Sequence, residues 1–246
     1  MLGLGSYVSS TYEHLYSLFF DGTGDGCAAG TNVLHFGTAD YSISLWLNIR
    51  DANPGSNQYI WAKRQSSSAR CELAIQNSNS KLVYVTRGGG NDCGTILGAG
   101  AITALENTWA HIVISHDRSA KVTLYVNGTT DTYGGVNTTT NAATLTNTGN
   151  LTFGCQDVSV TDPIAGNLTD IAMFNVALDD AAVAAIYNSG KPFDLRLNRG
   201  SYDNSSALTG YWRCNDGSGS TLKDELGSTD STIAGTKAFS TNTPDD

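Results

Sequence analysis

The stretch TWAHIVISHDRSAKVTLYVNG, Thr108 to Gly128, decides the fold of this chain. Ala110, Ile112 and Ile114 alternate with His111, Val113 and Ser115, which is the period of two that a half-buried strand needs. Lys121 to Asn127 repeats the pattern, with Val122, Leu124 and Val126 on the apolar side and Thr123, Tyr125 and Asn127 on the other. Asp117-Arg118-Ser119-Ala120 between them supplies a turn, where a short carboxylate can accept from nearby backbone amides. The segment reads as a β-hairpin whose apolar face must be covered by a second sheet.

The same reading extends outward. Leu18 to Asp21 predicts a first strand, followed by a Gly/Asp loop, DGTGDG; further strands are expected at Val33–Phe36, Tyr41–Arg50 and Gln58–Arg64. Trp46 falls opposite the apolar residues of its strand and is expected under a second covering layer. Cys71–Gln76 and Lys81–Arg87 pair about Asn77 to Ser80, a hairpin with turn-forming residues at its tip. Gly88-Gly89-Gly90-Asn91-Asp92 lacks the strand-to-helix context and the Lys-Ser/Thr of a phosphate loop, so it reads as a flexible surface loop. Thr129 to Asn150 reads as exposed loop and edge strand, and Leu151–Cys155 and Asn167–Val176 as late strands. Asp179 to Tyr187 is the one convincing helix: Asp can cap it, Ala favours it, and Gly190 with Pro192 stops it. Ala207–Cys214 is another strand, and the Asp/Ser/Thr-rich remainder is expected to be irregular. The organisation that follows is an amino-terminal arm, residues 1–16, a sandwich, 17–190, and a carboxy-terminal extension, 191–246.

Composition bounds the function. The 246 residues are 40% hydrophobic and only 15% charged, with a formal net charge of −9 and a pI near 4.7. That charge excludes nucleic-acid phosphate and anionic membrane surfaces as natural partners, since both would be repelled. Five cysteines without a C-x-x-C pair argue against thiolate metal binding and suit core filling as small apolar side chains. The opening MLGLGSYVSSTYEHLYS has neither a basic leader nor an unbroken apolar run, so it reads as neither signal peptide nor membrane span.

Several motifs together resemble the concanavalin A-like, laminin-G-like jelly-roll family. They are the W-x-H-I-V-I-x-x-D hairpin ending Y-V-N-G, the opening FFDGTGD of Phe19 to Asp25, YSISLWLNI of Tyr41 to Ile49, LTFG of Leu151 to Gly154, and GNLTDI of Gly166 to Ile171. The resemblance implies an all-β, two-sheet antiparallel jelly-roll sandwich with one short helix. It also implies a structural calcium ion shared by Asp21, Asp25 and Asp170, because the opening loop and the late strand lie close together in that family. Calcium takes six to eight oxygens, which a Gly-rich loop with carboxylates can offer. The alternative for Asp21 and Asp25, hydrogen bonding to turn amides, stays open.

SYDNSSALTGYWR, Ser201 to Arg213, ahead of a Gly/Asp-rich segment, resembles a group of structural proteins of marine tailed phages. That resemblance implies a non-enzymatic virion protein, a capsid decoration or fibre component. It would be made in the host cytoplasm and exposed on the particle as a homo-oligomer, touching other virion proteins and binding host or environmental glycans. A cellular carbohydrate-binding module and a glycan hydrolase on the same fold remain as alternatives. Against the hydrolase, cleavage needs two carboxylates flanking one bond, and Glu13, Glu72, Glu106 and Glu225 stand far apart. His111 is expected as a packed strand residue rather than a general base. No residue is singled out for sugar binding.

Overall fold

The protein is described by a computed structural model covering residues 12–53, 55–131, 136–137, 143–235 and 239–244. The strands in chain order begin with β1 Ser17–Asp21, β2 Gly26–Gly30, β3 Tyr41–Ile49, β4 Gln58–Ser66, β5 Ala69–Gln76 and β6 Lys81–Gly88. They continue with β7 Asn91–Ala101, β8 Trp109–His116, β9 Lys121–Val126, β10 Thr129–Thr130, β11 Val136–Asn137, β12 Leu151–Phe153 and β13 Ala165–Phe174. Helix α1, Asp180–Tyr187, precedes β14 Leu208–Trp212, β15 Thr221–Leu222, β16 Ser231–Ala234 and β17 Phe239–Ser240.

Two antiparallel sheets result. One runs β10-β9-β8-β3-β13-β1-β17, with β11 beside β9 and β14 beside β13; the other runs β15-β16-β2-β12-β4-β5-β6-β7. The expected hairpin is β8–β9, paired Ile112↔Val126 and Ile114↔Leu124, so its apolar residues face one way together. That face meets the second sheet in a core holding Tyr41, Ile43, Leu45, Trp61, Leu73, Ile114, Leu124, Phe153 and Trp212. All five cysteines are buried and none is in a disulfide, consistent with filling.

The opposite face of the first sheet is covered too. Val113, Tyr125, Ala172 and Phe174 pack against Leu178, Val183 and Ile186 of the helical segment and against Phe193, Leu195, Tyr202 and Tyr211. This layer explains why all nine residues of β3 are buried, Trp46 included, against Tyr187 and His111. Helix α1 is capped as its sequence predicts: Asp179 Oδ1 accepts from the Ala182 amide at 2.8 Å, and Asn188 closes it in the left-handed region. A cap of this kind stabilises a helix by about 1 kcal/mol.

Four expectations are corrected. Val33–Phe36 is not a strand; Leu34 adopts φ 60°, which turns the chain, and β2 forms just before it. Residues 91 and 92 open the long strand β7 rather than a loop, with only Gly89 and Gly90 at positive φ making the turn. Within Thr129–Asn150, Leu145, Asn147 and Gly149 are buried rather than exposed; residues 132–135 and 138–142 lie outside the described residues. The tail after Cys214 is not simply irregular, since β15 and β16 extend the second sheet beyond β2 and β17 pairs with β1. The extension is therefore woven into both sheets. Among the described residues no helix is long and apolar enough to cross a membrane.

Candidate functional site

The three carboxylates expected to share calcium are not brought together. Asp21 pairs with Ala165 across β1–β13, and Asp170 lies five residues further along β13, about 17 Å away at the usual rise per residue. Asp21 is exposed, and its Oδ1 accepts from the Thr23 amide at 2.6 Å and the Thr23 hydroxyl at 2.9 Å. Those hydrogen bonds hold its carboxyl below the usual range. Asp25 is buried, and its Oδ2 accepts from the Asp21 amide at 3.2 Å. Turn bonding, the alternative read from sequence, is what the loop shows.

Asp170 has a different role. It sits at φ 46°, where the β13–β3 register shifts, and its carboxylate accepts from Tyr211 at 2.6 Å and from Tyr12 at 2.7 and 2.8 Å. His14 Nε2 stands 3.4 Å away while bonding Thr169 Oγ1 at 2.6 Å. Burial, then the neighbouring Asp170 charge, pushes both tyrosine hydroxyls well above their ordinary pKa, so they stay donors. Asp170 thus ties the end of the arm to β13 and β14. Among the described residues no three His, Cys, Asp or Glu side chains gather as a metal site. The residues present do not fit the calcium site that the resemblance implies.

Two clefts among the described residues offer binding geometry. The first, about 310 Å³, is lined by Asn32, His35, Phe36 and Asp40 of the β2–β3 connection, by Asn175 and Thr209, and by Ser228 and Thr229. Its loop is well anchored. Val33 and Leu34 are buried beneath it, the Leu145 amide donates to Gly37 O at 2.8 Å, and Asp40 Oδ1 accepts from the Arg118 amide at 2.7 Å. The half-buried Phe36 ring stacks on Tyr41, centroids 4.0 Å apart and planes 4° off parallel. On the far wall, Thr229 O accepts from Trp212 Nε1 at 3.0 Å, fixing that loop to the core. The result is a preformed cleft with an aromatic ring, a carboxylate, amides and hydroxyls converging on it, which is the usual make-up of a small-molecule site.

The second cleft, about 470 Å³, is lined by Tyr12, Phe193, Asp194, Arg196, Leu197, Asn198, Arg199 and Arg213. Arg213 lies 4.2 Å over the Tyr12 ring and Arg199 5.2 Å over Phe193. Sequence reading passed over both clefts because each is assembled from segments far apart in the chain. The one signal was two arginines in four residues, Arg196 and Arg199, within an acidic chain.

Three of the four glutamates expected to stand apart are set in structural roles. Glu72 lies between Arg64 and Arg70 at 3.0 and 2.8 Å, Glu106 accepts from the Ala52 amide at 2.8 Å, and Glu225 pairs with Arg196 at 2.7 Å. His111 shares a 2.8 Å hydrogen bond with Ser44 Oγ, and burial pushes its pKa down to about 3. It is a neutral packing residue.

Comparison with known proteins adds the following. Similar in fold are a protein of Bacteroides ovatus ATCC 8483 provisionally assigned to carbohydrate binding (14% identity, TM-score 0.63, 93% of this chain and 60% of that one) and the heptameric SAP-like pentraxin of Limulus polyphemus (11%, 0.55, 90% and 95%). Domain 4 of AbnA, an extracellular GH43 arabinanase of Geobacillus stearothermophilus solved with arabinotriose, is similar over 68% of this chain and 74% of that one (16%, 0.51). The chain thus spans 60% of the length of the Bacteroides protein. No curated protein sequence is similar enough to count as a relative. These structural likenesses concern the fold, whereas the sequence itself matches the family model of the concanavalin A-like lectin/glucanases superfamily over residues 21–184, well over half its length. The two-sheet sandwich, its ordered motifs and that match together place the chain in the concanavalin A-like lectin/glucanases superfamily.

Proposed function

We propose that the protein is a non-enzymatic glycan-binding domain whose site is the 310 Å³ cleft at Phe36, Asp40, Asn175 and Thr209. The observation that carries the reading is the pairing of a half-buried aromatic ring with side-chain acceptors and hydroxyls on an anchored loop. A sugar ring offers an apolar C–H face to an aromatic and its hydroxyls to carboxylates and amides, so both halves of its chemistry are answered. The cleft volume suits one or two sugar residues. Similar folds include an arabinanase domain solved with arabinotriose, which supports the ligand class.

The test is a glycan array followed by titration calorimetry on the hits. Asn175→Ala and Phe36→Ala are expected to weaken binding about tenfold or more, equivalent to about 1.4 kcal/mol each, with the fold unchanged by circular dichroism. Hits whose affinity ignores both substitutions would move the site elsewhere.

The setting we propose is the surface of a phage particle, as a capsid decoration or fibre component in a symmetric homo-oligomer contacting other virion proteins. Its support is the resemblance of Ser201–Arg213 and the segment after it to phage structural proteins. A module of a cellular carbohydrate-active protein is the competing setting, favoured by the likeness to a domain of an extracellular arabinanase. Negative-stain microscopy of purified particles with an antibody to this chain separates them: decoration supports the virion, and unlabelled particles support the cellular module.

A further inference from the structure

We infer that the second cleft, bounded by Tyr12, Phe193, Arg199 and Arg213, is a separate site for a small organic anion bearing a carboxylate or sulfate. The argument rests on donors left over. Arg196 is consumed by the protein, bidentate to Asp194 at 2.9 and 2.7 Å and paired to Glu225 at 2.7 Å. Asp170 accepts from the Tyr12 and Tyr211 hydroxyls and, like Asp194, lies close enough to Arg213 to act on its charge without forming an ion pair with it.

Arg199 and Arg213 have no carboxylate of their own among the ion pairs of the described residues. Arg199 is exposed, with its guanidinium held over Phe193. Arg213 gives one N–H to the Glu13 carbonyl at 2.6 Å, and its buried Nε–H has no acceptor among the described residues. Two guanidinium groups positioned by aromatic rings, with protein acceptors already used, present the planar donor forks that match carboxylate and sulfate oxygens. Leu197, 64% exposed on the same cleft, offers apolar surface to the organic part of such a ligand.

Two features separate this site from the glycan cleft. Its lining comes from residue 12 and residues 193–213, all outside the family match at 21–184. It also gathers three of the chain's 14 basic residues in a protein of net charge −9, so the local chemistry opposes the global charge.

The experiment is calorimetric titration of the full chain with glucuronate, glucose 6-sulfate and glucose at low and at 0.5 M salt. At least one of the two anions is expected to bind, glucose is expected not to compete for this cleft, and salt is expected to weaken the anion. Which anion binds tells carboxylate from sulfate. Arg199→Ala, an exposed change that spares the Arg199–Tyr202 backbone pairing, is expected to weaken binding about tenfold or more, and Arg199→Lys to restore only part of it. Binding of neither anion, equal binding of glucose at this cleft, or indifference to Arg199→Ala would each overturn the assignment. Because Phe36 and Asn175 lie in the other cleft, their alanine variants should leave anion binding unchanged, whatever the fate of the glycan reading.

Discussion

Acidification from pH 7 to pH 5 should unload about 4 kcal/mol of stability through two buried histidines. His111 and His116 are fully buried, and each has its pKa pushed from 6.5 to about 3, by burial in both cases and additionally by Arg118 beside His116. The unfolded chain therefore binds protons below pH 6.5 that the folded chain refuses. For groups depressed in this direction the stability is fully present above 6.5 and is lost as pH falls from there toward 3. The loss runs at about 1.4 kcal/mol per pH unit for each imidazole, so 1.5 units below 6.5 costs about 2 kcal/mol per histidine. The window is clean of the carboxylates held low in the fold, Asp21, Asp194 and Asp230, because those titrate below 3.8. Urea unfolding at pH 7 and pH 5 reads the difference directly. His111→Gln can still hydrogen-bond Ser44, and His116→Gln can still face Tyr41 and Tyr84, so the quantity of interest is the pH increment of each variant rather than its absolute stability. Each is expected to remove about half of the wild-type increment. A wild-type loss under about 1 kcal/mol, or variants that lose as much as wild type, would refute the reasoning.

Three further outcomes follow from the packing. Gly154→Ala should be strongly destabilising, because φ is 76° there and a Cβ would stand 2.2 Å from the Phe20 ring; an unchanged melting temperature would contradict that geometry. A thiol reagent should find no reactive cysteine in the native chain and five in strong denaturant, since all five are buried and none is in a disulfide, with burial raising Cys71 and Cys155 to about 11. Millimolar calcium and chelator should leave the melting temperature alike, as Asp21, Asp25 and Asp170 are not gathered; a shift of several degrees would show a site built from other oxygens.

The parts of the fold legible in the sequence were those whose inward positions carry apolar side chains. The hairpin at 109–126, β3 and the capped helix fall within a residue or two of their expected bounds. Strand β7 was hidden because its inward positions include Gly94 and Gly98. There a Cβ would press on Val122 at 2.9 Å or Asp131 at 3.0 Å, so close packing removed the apolar pattern that reveals a strand. Strand β2, Gly-Cys-Ala-Ala-Gly, was hidden for the related reason that small residues carry little strand signal. The covering layer on the outer face could not be read from Val113 and Tyr125 alone, since its other half lies past residue 178. Site residues were the least legible. Asp170 looked like a ligand in its motif, yet its partners, Tyr12, His14 and Tyr211, come from the two ends of the chain. Both clefts likewise join segments more than a hundred residues apart, which no local spacing announces.

The most direct measurement of the central claim is calorimetric titration of a glycan-array hit into wild-type protein and into Asn175→Ala and Phe36→Ala. Saturable binding to wild type, weakened about tenfold or more in both variants with their circular dichroism unchanged, is the predicted result. An array without a single hit, or a hit bound equally well by all three proteins, would contradict it.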